Sequence, residues 1–442
     1  MGHEVAVLGV GMHQWGKWGK NFVEYGVKAA QDALKDAGLE WRDIQLIAGA
    51  ETVRNGYPGY VAGATFAEAM GWTGARISSS YAACASGAQA INDARAQILA
   101  GFCDVALVIG ADTTPKGFLA PNAGERWDDP DWLRFRLMGC TNPTYFALAA
   151  RRRMDMYGAT EEDFAAVKVK NAKHGMANPY ARYHKEFTME QVLESPMVAD
   201  PLRLFEICAT SDGAAACILT SMEFAKSRNV DPVKVRAVAT TTPTFPCTTL
   251  EMPNISTDSA NAVDEPTRPF KASIAHDAYE EAGLGPEDMS LAEVYDLSSA
   301  LELDWYENLG LCGEGEAEKL LRDGATKIGG RIPVNTSGGL ACFGEAVPAQ
   351  AVARCASSPG SCAVTPATGR SMAPRPASRR TSASSATARP SSARGSGPPA
   401  TRTDHGESRC PKPISSTPCA RPSAARRGAS RRCTPPTSGR TA

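Results

Sequence analysis

The sequence predicts an α/β protein made of two related halves. Two observations support this fold class: short apolar strands alternate with amphipathic helices, and a helix–turn–strand unit recurs along the chain. With 442 residues, 43% of them hydrophobic, the chain is long enough for two or more domains with buried cores. We expect domains at 1–240 and 241–354, an insertion at about 113–205 in the first, and a separate tail at 355–442.

Strands and helices alternate through the first domain and begin again in the second. Short apolar runs predict strands, and apolar residues spaced three or four apart predict helices. The predicted strands are Glu4–Val10, Ile44–Ala48, Arg76–Tyr81, Asp104–Ala111, Ala214–Leu219, Val233–Thr241 and Leu291–Tyr295. Besides the two helices of the repeat, helices are predicted at Ala88–Gly101, Phe146–Met156 and Glu161–Ala172. Because strands joined by helices are commonly parallel, we expect a parallel sheet.

The repeat has an offset of 245 residues. Ala30–Ile44 reads AQDALKDAGLEWRDI, and Ala275–Met289 reads AHDAYEEAGLGPEDM. Each segment predicts a helix that ends at a glycine, Gly38 or Gly283, because glycine readily takes the left-handed conformation that ends helices. A short apolar strand follows in both. The shared A-x-D-A-x-x-x-A-G-L pattern favours an internal duplication.

Composition excludes several classes of protein. No apolar run approaches the roughly 18 residues that a membrane span needs. The 13 cysteines form no C-x-x-C pair and the six histidines form no H-E-x-x-H, so the sequence indicates neither a metal site nor a disulfide framework. We therefore expect a soluble cytoplasmic protein that contacts neither membrane nor nucleic acid.

The tail differs from the rest of the chain. Of its 88 residues, 81 are Ser, Ala, Arg, Pro, Thr, Gly or Cys, and its net charge is +13 against −14 for residues 1–354. Such a composition buries too little apolar surface to offset the entropy lost on ordering. A basic arm for nucleic acid would lack aromatic residues to stack on bases, and a linker would have no domain after it. We favour a third interpretation, in which a GC-rich gene is translated out of frame here and the second half is truncated.

Cys84 is the strongest local candidate for chemistry. It lies in Ser78–Ala88 (SSSYAACASGA), where a strand passes into a helix and Gly87 allows a tight turn. A cysteine at a helix N-terminus faces the positive end of the helix dipole, which stabilises a thiolate and supplies amides for an oxyanion. The alternative is a small buried side chain, which most free cysteines are.

Two other patterns are weaker. Gly11–Trp18 fits the phosphate-binding pattern G-x-x-x-x-G-K, but Trp18 replaces the Ser or Thr that would bind magnesium. A basic cluster in the insertion would suit the phosphates of an anionic cofactor, although a solvated helix face is its ordinary explanation. Its members are Lys168, Lys170, Lys173, Arg182 and Lys185, with His174 and His184.

Three motifs in order resemble the thiolase superfamily. They are CASGAQA from Cys84, TSDGAAA at Thr210–Ala216 and VNTSGGL at Val334–Leu340. Val169–Thr188 and Ser195–Ala216 are similar to the sterol-carrier-protein-X thiolases and the actinobacterial lipid-transfer proteins, among them steroid side-chain aldolases. The resemblance covers residues 4–354. It implies a five-layered αβαβα fold with duplicated halves, a homodimer, and acyl-CoA chemistry with no permanently bound cofactor.

Matched to the family's motifs, the site residues depart from the common pattern. Cys84 falls on the nucleophile, but the H-D-A-F motif reads Tyr295-Asp-Leu-Ser, and Glu345 replaces the histidine of the G-H-P motif. A carboxylate beside a thiolate raises the thiol pKa, so activation of Cys84 is disfavoured. The resemblance makes Tyr295, Cys84 and Glu345 the catalytic candidates. Cys84, Gly338, Gly339 and Asp296 are the candidates for oxyanion and substrate binding.

These replacements favour retro-aldol cleavage of a 3-hydroxyacyl-CoA with a steroid or other lipid side chain. That reaction needs a base and an enolate site but no acyl-cysteine. The alternatives are a thiolase-type acyltransferase with Cys84 as nucleophile and a non-catalytic lipid or acyl-CoA carrier. Family aldolases of this type work with a small OB-fold protein that has a zinc ribbon, and we expect such a partner.

The frameshift interpretation makes a prediction about the gene. Re-reading it in the two other frames beyond codon 354 should give a segment with ordinary Leu, Val and Phe content and a Gly-rich loop, because the family's second half ends with such a loop between strands. Resequencing the gene checks this expectation. Low-complexity sequence in all three frames would contradict it.

Overall fold

The strands form one sheet of six and two smaller sheets. The computed structural model describes residues 4–51, 62–114, 142–230, 232–242, 269–357, 363–364 and 371–374, and all of these belong to one compact unit, Met1–Ser378. The described strands are β1 (Val5–Gly16), β2 (Leu46–Ala50), β3 (Arg76–Ser80), β4 (Val105–Asp112), β5 (Met197–Ala199), β6 (Leu202–Arg203), β7 (Asp212–Ser221), β8 (Val233–Val235), β9 (Met289–Glu293), β10 (Ala363–Val364) and β11 (Ser371–Pro374).

The helices surround these sheets. In chain order the described α-helices are α1 (Phe22–Ala37), α2 (Ala62–Met70), α3 (Ser86–Leu99), α4 (Asn142–Tyr157), α5 (Glu161–Gly175), α6 (Met189–Leu193), α7 (Met222–Ser227), α8 (Phe270–Ala282), α9 (Ser299–Asn308), α10 (Ala317–Arg322), α11 (Gly339–Phe343) and α12 (Gln350–Ser357). None of them is long and apolar enough to cross a membrane.

The six-stranded sheet has the order β3-β2-β4-β7-β1-β8. β2 is parallel to both β3 and β4, whereas β7 runs antiparallel to β4 and to β1, and β8 runs antiparallel to β1. The prediction of a parallel sheet is therefore wrong for three of the five neighbouring strand pairs. Helices connect β2 to β3 and β3 to β4, but the long insertion between β4 and β7 lets β7 return in the opposite direction. The strand predicted at Val233–Thr241 is also shorter, since β8 ends at Val235.

Alternate residues of the central strands face two different layers of helices. On β4, Ala106 and Val108 belong to the apolar cluster that includes α3 and α12, whereas Leu107 and Ile109 belong to the cluster that includes α1 and α2. Side chains of a strand point alternately to its two faces, so β4 and β7 are buried on both sides. The described residues thus form an α–β–α arrangement around this sheet, which confirms the α/β class.

The internal repeat has the same local geometry in both copies. α1 ends at Gly38 with φ 63° and ψ 35°, and α8 ends at Gly283 with φ 63° and ψ 39°. In each copy the glycine amide bonds back to carbonyls of the last helical turn, and a short 3-10 helix then leads into the next strand. The repeat is therefore a repeated supersecondary unit.

The G-x-x-x-x-G-K pattern lies within a strand. Gly11 and Gly16 are both in β1, which continues six residues beyond its predicted end at Val10. A Cβ at Gly11 would overlap the carbonyl oxygen of Ala29, so this glycine allows α1 to pack closely on β1. Because a phosphate-binding loop needs free amides at a strand-to-helix turn, the nucleotide-binding interpretation is wrong.

Three of the seven members of the basic cluster in the insertion are buried. Lys168 and Lys170 are 6% and 4% exposed, and His174 is buried beside them on α5. The Lys170 ammonium donates to Glu302 Oε1 over 2.6 Å and to the Val334 carbonyl over 3.0 Å. The expectation of a solvated helix face is therefore wrong for these three residues, which connect the insertion to the second half of the chain.

Two short strands occur beyond residue 355. β11 pairs antiparallel with β9, and β10 pairs antiparallel with β11, which gives a three-stranded sheet. These two strands comprise six residues of the tail, Ala363–Val364 and Ser371–Pro374. The remainder of the tail beyond Ser357 lies outside the described residues, and so does most of the sequence between β4 and α4.

A buried ion cluster connects α4 to the second half. Arg153 is 2% exposed, and its guanidinium donates to Glu318 (2.7 Å), Glu307 (2.6 Å) and Asp304 (3.1 Å). Lys271 on α8 donates to the same Asp304 over 3.0 Å. The Glu318 and Glu307 carboxylates raise the pKa of Arg153 despite its burial, so it stays charged.

We predict that Arg153→Met destabilises the protein strongly. Removing one member of a buried ion cluster leaves uncompensated charges and typically costs about 3–5 kcal/mol of unfolding free energy. Urea denaturation should show a lower midpoint at an unchanged slope. The control is Arg42→Met, since Arg42 makes an exposed pair with Glu40 and its loss should change little. Equal stability of the two variants would contradict the prediction.

Candidate active site

Cys84 lies at a tight turn before a helix, as the sequence predicts, but Gly87 belongs to the helix and not to the turn. β3 ends at Ser80, a 3-10 turn follows at Ala83–Ala85, and α3 begins at Ser86. Ala83 has a positive φ of 47°, which is uncommon for a residue with a side chain. The Ser86 hydroxyl fixes this turn by accepting from the Ala82 amide (2.9 Å) and donating to the Ala83 carbonyl (2.7 Å). The thiol is therefore held at the positive end of α3.

Tyr295 follows β9, and Glu345 follows α11. The Asn335 side chain accepts from the Val294 amide over 2.7 Å, which fixes the chain just before Tyr295. Gly344, with φ 73°, turns the chain out of α11, and the Glu345 amide then donates to the Ala209 carbonyl over 2.7 Å. Both side chains are buried, with 6% exposure for Tyr295 and 1% for Glu345.

These turns bring the three predicted catalytic residues together. The Tyr295 hydroxyl donates to Glu345 Oε1 over 2.6 Å, and the Cys84 thiol donates to the same oxygen over 3.7 Å. Gln350 donates from Nε2 to the Tyr295 hydroxyl (3.0 Å) and to Glu345 Oε1 (3.4 Å). Three donors on one oxygen are what an ionised carboxylate accepts. Glu345 Oε1 is thus the shared hydrogen-bond acceptor of the group.

The surroundings keep the phenol of Tyr295 protonated. Burial raises its pKa well above the ordinary value, and the neighbouring Cys84 and Glu345 raise it further. The pKa of the Cys208 thiol is also raised, by its burial first and by Glu345 and Asp296 next. The site therefore holds neutral donors around one carboxylate.

Asp296 makes its hydrogen bonds outside the group formed by Cys84, Tyr295, Glu345 and Gln350. Its carboxylate accepts from the Leu340 amide (2.8 Å), the Ala341 amide (3.1 Å) and the Asn171 side chain (3.2 Å). Burial, and then the Glu302 charge, raise the pKa of Asp296 to about 7. Its contacts join the first turn of α11 to the insertion.

Gly338 and Gly339 form the turn at the start of α11, and both have positive φ. A Cβ on Gly339 would overlap the Asp296 carboxylate, so glycine is needed there. The Gly338 amide donates to the Asn335 carbonyl and the Gly339 amide to the Ser337 hydroxyl. In this structure both amides have protein partners, and neither glycine lines the cavity beside Cys84. Their oxyanion role stays a prediction.

Gln350 and Arg354 are two site residues that the sequence motifs did not indicate, and they lie one helical turn apart on α12. Arg354 is 6% exposed, its Cζ lies 5.4 Å from the Tyr295 ring centroid, and its Nη2 donates to the Val294 carbonyl over 3.0 Å. Burial lowers its pKa. The available signal was a glutamine and an arginine spaced i, i+4 in an otherwise apolar helix, which indicates polar contacts inside the core.

A cavity of about 530 Å³ opens beside the thiol and the phenol. Its lining is mainly apolar and aromatic and includes a few polar side chains. The lining residues are Ala82–Ala85, Gln89, Asn142, Tyr145, Phe146, Thr240–Thr242, Phe270, Lys271, Tyr295, Leu297, Leu301 and Trp305. Such a volume is typical of small-molecule sites and suits an apolar group larger than an acetyl unit.

The described residues contain one group of three potential metal ligands, and it lies elsewhere. His276, Asp277 and Glu280 are close together on α8, but both carboxylates are exposed and none of the three lines the cavity.

Comparison with protein families matches most of the chain. The thiolase N-terminal domain matches residues 6–223, and the thiolase C-terminal domain-like family matches residues 255–356. Together they include Cys84, Tyr295 and Glu345.

Individual relatives agree with the family match. Sterol carrier protein 2 of Bos taurus is 32% identical over 369 residues, covering 80% of this chain and 65% of its own length, so this chain spans slightly less than two thirds of it. The benzoylsuccinyl-CoA thiolase subunit BbsB of Thauera aromatica is 32% identical over 358 residues, 80% of this chain and 88% of the relative.

A solved structure is similar over the same extent. The Ltp2-ChsH2(DUF35) aldolase superposes with a TM-score of 0.65 at 27% identity, covering 79% of this chain and 87% of the other. The resemblance drawn from the motifs is confirmed. This chain belongs to the thiolase superfamily, among its sterol-carrier-protein-X-like lipid-transfer members.

Proposed function

We propose that the chain is an acyl-CoA lyase that cleaves a 3-hydroxyacyl-CoA by a retro-aldol reaction. The observation that carries this proposal is the 2.6 Å hydrogen bond from the Tyr295 hydroxyl to Glu345. It pairs a base, Glu345, with a proton donor, Tyr295, as the reaction needs, and the thiol is not used as a nucleophile. The similar aldolase structure supports the same reaction class.

The proton would move through Tyr295. The 3-hydroxyl of the substrate passes its proton to the phenolic oxygen as the phenol passes its own proton to Glu345. The Cα–Cβ bond then breaks, and its electron pair becomes the thioester enolate while the 3-carbon leaves as a ketone or aldehyde. Protonation of the enolate at Cα, from the protonated Tyr295–Glu345 pair, gives the shortened acyl-CoA and restores the site.

The enolate needs hydrogen-bond donors at its oxygen. The N-terminal turn of α3, with the Cys84 amide, offers backbone N–H groups and the positive end of the helix dipole. This position lies at the cavity wall next to Tyr295, so one substrate can meet both groups. We accordingly assign the Cys84 amide to oxyanion binding and its thiol to no covalent step.

A thiolase-type acyl transfer is the second candidate, because Cys84 occupies the position of the family nucleophile. The thiol would have to ionise 3.7 Å from the Glu345 carboxylate, where like-charge repulsion opposes it. The third candidate, a lipid or acyl-CoA carrier, is supported by the apolar cavity alone.

The cavity also suggests the substrate. Phe146, Phe270 and Trp305 lie in its wall, and such side chains suit a bulky apolar group such as a steroid side chain. Coenzyme A enters as part of the substrate, so we propose no permanently bound cofactor. We also propose that the enzyme is cytoplasmic. The domain limits 1–240 and 241–354 remain part of this proposal.

We also propose two partners, a second copy of the chain and a small OB-fold protein with a zinc ribbon. β3 is at the edge of the sheet, and Trp72, Ile77, Tyr81 and Phe102 around it are exposed. An exposed edge with apolar side chains favours pairing with another chain. The DUF35 component named in the similar aldolase structure supports the second partner.

The proposed reaction predicts specific products. We expect the full chain, incubated with its small partner and a 3-hydroxyacyl-CoA that has a bulky apolar side chain, to release a ketone and a shortened acyl-CoA. Mass spectrometry without added free CoA detects both. Cleavage that requires free CoA would instead indicate thiolysis, and ligand binding without turnover would indicate a carrier.

Two variants separate the lyase from the acyltransferase. We expect Tyr295→Phe to lower turnover by roughly 10²–10⁴-fold, because it removes the proton-transfer group and keeps the ring. Cys84→Ala should cost far less, since no acyl-cysteine forms. The measurement is kcat, with circular dichroism to check folding. An inactive Cys84→Ala beside an active Tyr295→Phe would restore the covalent mechanism.

A further inference from the structure

A second, much smaller cavity lies behind the catalytic group. Its volume is about 20 Å³, and its lining includes Trp15 of β1, Phe343 of α11, and Gln350 and Arg354 of α12. A cavity needs roughly 10–15 Å³ to hold one water molecule, so this one has room for a water molecule.

Three lining side chains each have one polar atom without a hydrogen-bond partner among the described residues. These atoms are Trp15 Nε1, Gln350 Oε1 and Arg354 Nη1. The three side chains are 1%, 2% and 6% exposed, respectively. A buried polar group without a partner is costly, and most such groups in folded proteins are satisfied. Three of them around one cavity indicate a shared ligand.

The donor and acceptor pattern identifies that ligand as water. Trp15 Nε1 and Arg354 Nη1 can only donate, whereas Gln350 Oε1 can only accept. A water molecule accepts two hydrogen bonds and donates to a third group, so it satisfies all three atoms. A cation would be repelled by the two donors, one of which is a charged guanidinium. A halide would be repelled by the amide oxygen.

We propose that this cavity holds one permanent water molecule, through which Trp15 and Arg354 hold the Gln350 amide in the orientation that the catalytic group needs. Gln350 turns Nε2 toward the Tyr295 hydroxyl and Glu345 and leaves Oε1 for the water. The reverse orientation would place an oxygen against a carboxylate and an N–H group against the water's donors. The water thus fixes the amide from the opposite end.

This makes Gln350 a positioning residue. Its Nε2 donates to the phenolic oxygen and to Glu345 Oε1, and these two bonds hold the phenol and the carboxylate in place for the transfer of the proton between them. The groups facing Tyr295 are Cys84 before α3, Glu345 after α11, and Gln350 and Arg354 on α12. The catalytic consequence rests on the proposed lyase function, whereas the water site does not.

The water can be tested without an activity assay. A high-resolution crystal structure of the full chain should show one density peak within hydrogen-bonding distance of the three atoms, with no anomalous signal. In solution, the indole N–H of Trp15, identified by its loss in Trp15→Phe, should show a nuclear Overhauser effect to bound water. Ordered side chains without density between them, or an anomalous peak from a halide, would overturn the water site.

The link to Gln350 is tested with the same variant. Trp15→Phe keeps an aromatic ring against Phe343, 5.2 Å away in the native protein, but removes one donor to the water. We expect a shift of the Gln350 side-chain amide resonance and a fall in kcat with little change in KM. Trp41→Phe is the matched control, because it removes an indole N–H that bonds to the Gly71 carbonyl elsewhere.

Removal of the Gln350 side-chain amide gives the fall in kcat against which the water-site variants are compared. Gln350→Met should lower kcat by about 10- to 100-fold, as small displacements of catalytic groups do, and should move the rising limb of the pH profile to higher pH. Should Trp15→Phe fold poorly, Arg354→Lys replaces it, since lysine lacks the second fork of donors. An unmoved Gln350 resonance together with unchanged kcat in these water-site variants would overturn the link. Absence of lyase activity in the native chain would contradict the proposed function but not the water site. The Gln350 amide resonance would still test whether the water orients Gln350.

Discussion

The site depends on one buried carboxylate. Glu345 is 1% exposed, and a charge so far from water is tolerated only when hydrogen-bond donors surround it. The donors come from three parts of the chain, namely Cys84 before α3, Tyr295 after β9 and Gln350 on α12. Satisfying this one group therefore requires that both halves of the protein pack together with their turns in place.

In the proposed reaction, the carboxylate also determines the direction of proton transfer. Where the superfamily motif has a histidine, an imidazole could take the thiol proton and remain as a cation beside the thiolate. Glu345 would instead become a neutral acid only by taking a proton, and while it is ionised it opposes a thiolate. Tyr295 has no such conflict, because it can pass its proton to Glu345 as it receives one from the substrate. Under this proposal, the replacement of histidine by Glu345 changes which neighbouring side chain takes part in the reaction.

Local signals predicted the parts of the structure that local physics decides. The glycine-ended helices of the repeat and the position of Cys84 before α3 follow from conformational preferences of a few neighbouring residues. The three motif positions at Cys84, Tyr295 and Glu345 were predicted from the resemblance, and the structure places them within one hydrogen-bonded group. Their roles remain part of the proposal.

Long-range packing decided the features that the sequence did not reveal. Lys168 and Lys170 look solvated in a charged stretch, but the second half of the chain covers them. β1 continues past its apolar run because Gly11 lets α1 approach, and β7 is antiparallel because the insertion separates it from β4. Each outcome depends on a partner hundreds or tens of residues away, which no window of sequence contains.

The change of composition falls at a sensitive place in the chain. Gln350 and Arg354, which hold the Tyr295–Glu345 pair from behind, are on α12, and Cys355 is the last residue of that helix in the apolar cluster beneath the six-stranded sheet. The polar contacts that the catalytic group needs are therefore complete before the low-complexity sequence begins. The sequence after α12 can affect how firmly this helix is held, and through Gln350 it can affect the orientation of Tyr295. In this chain, the orientation of the side chains in the site therefore depends on the stability of one short helix.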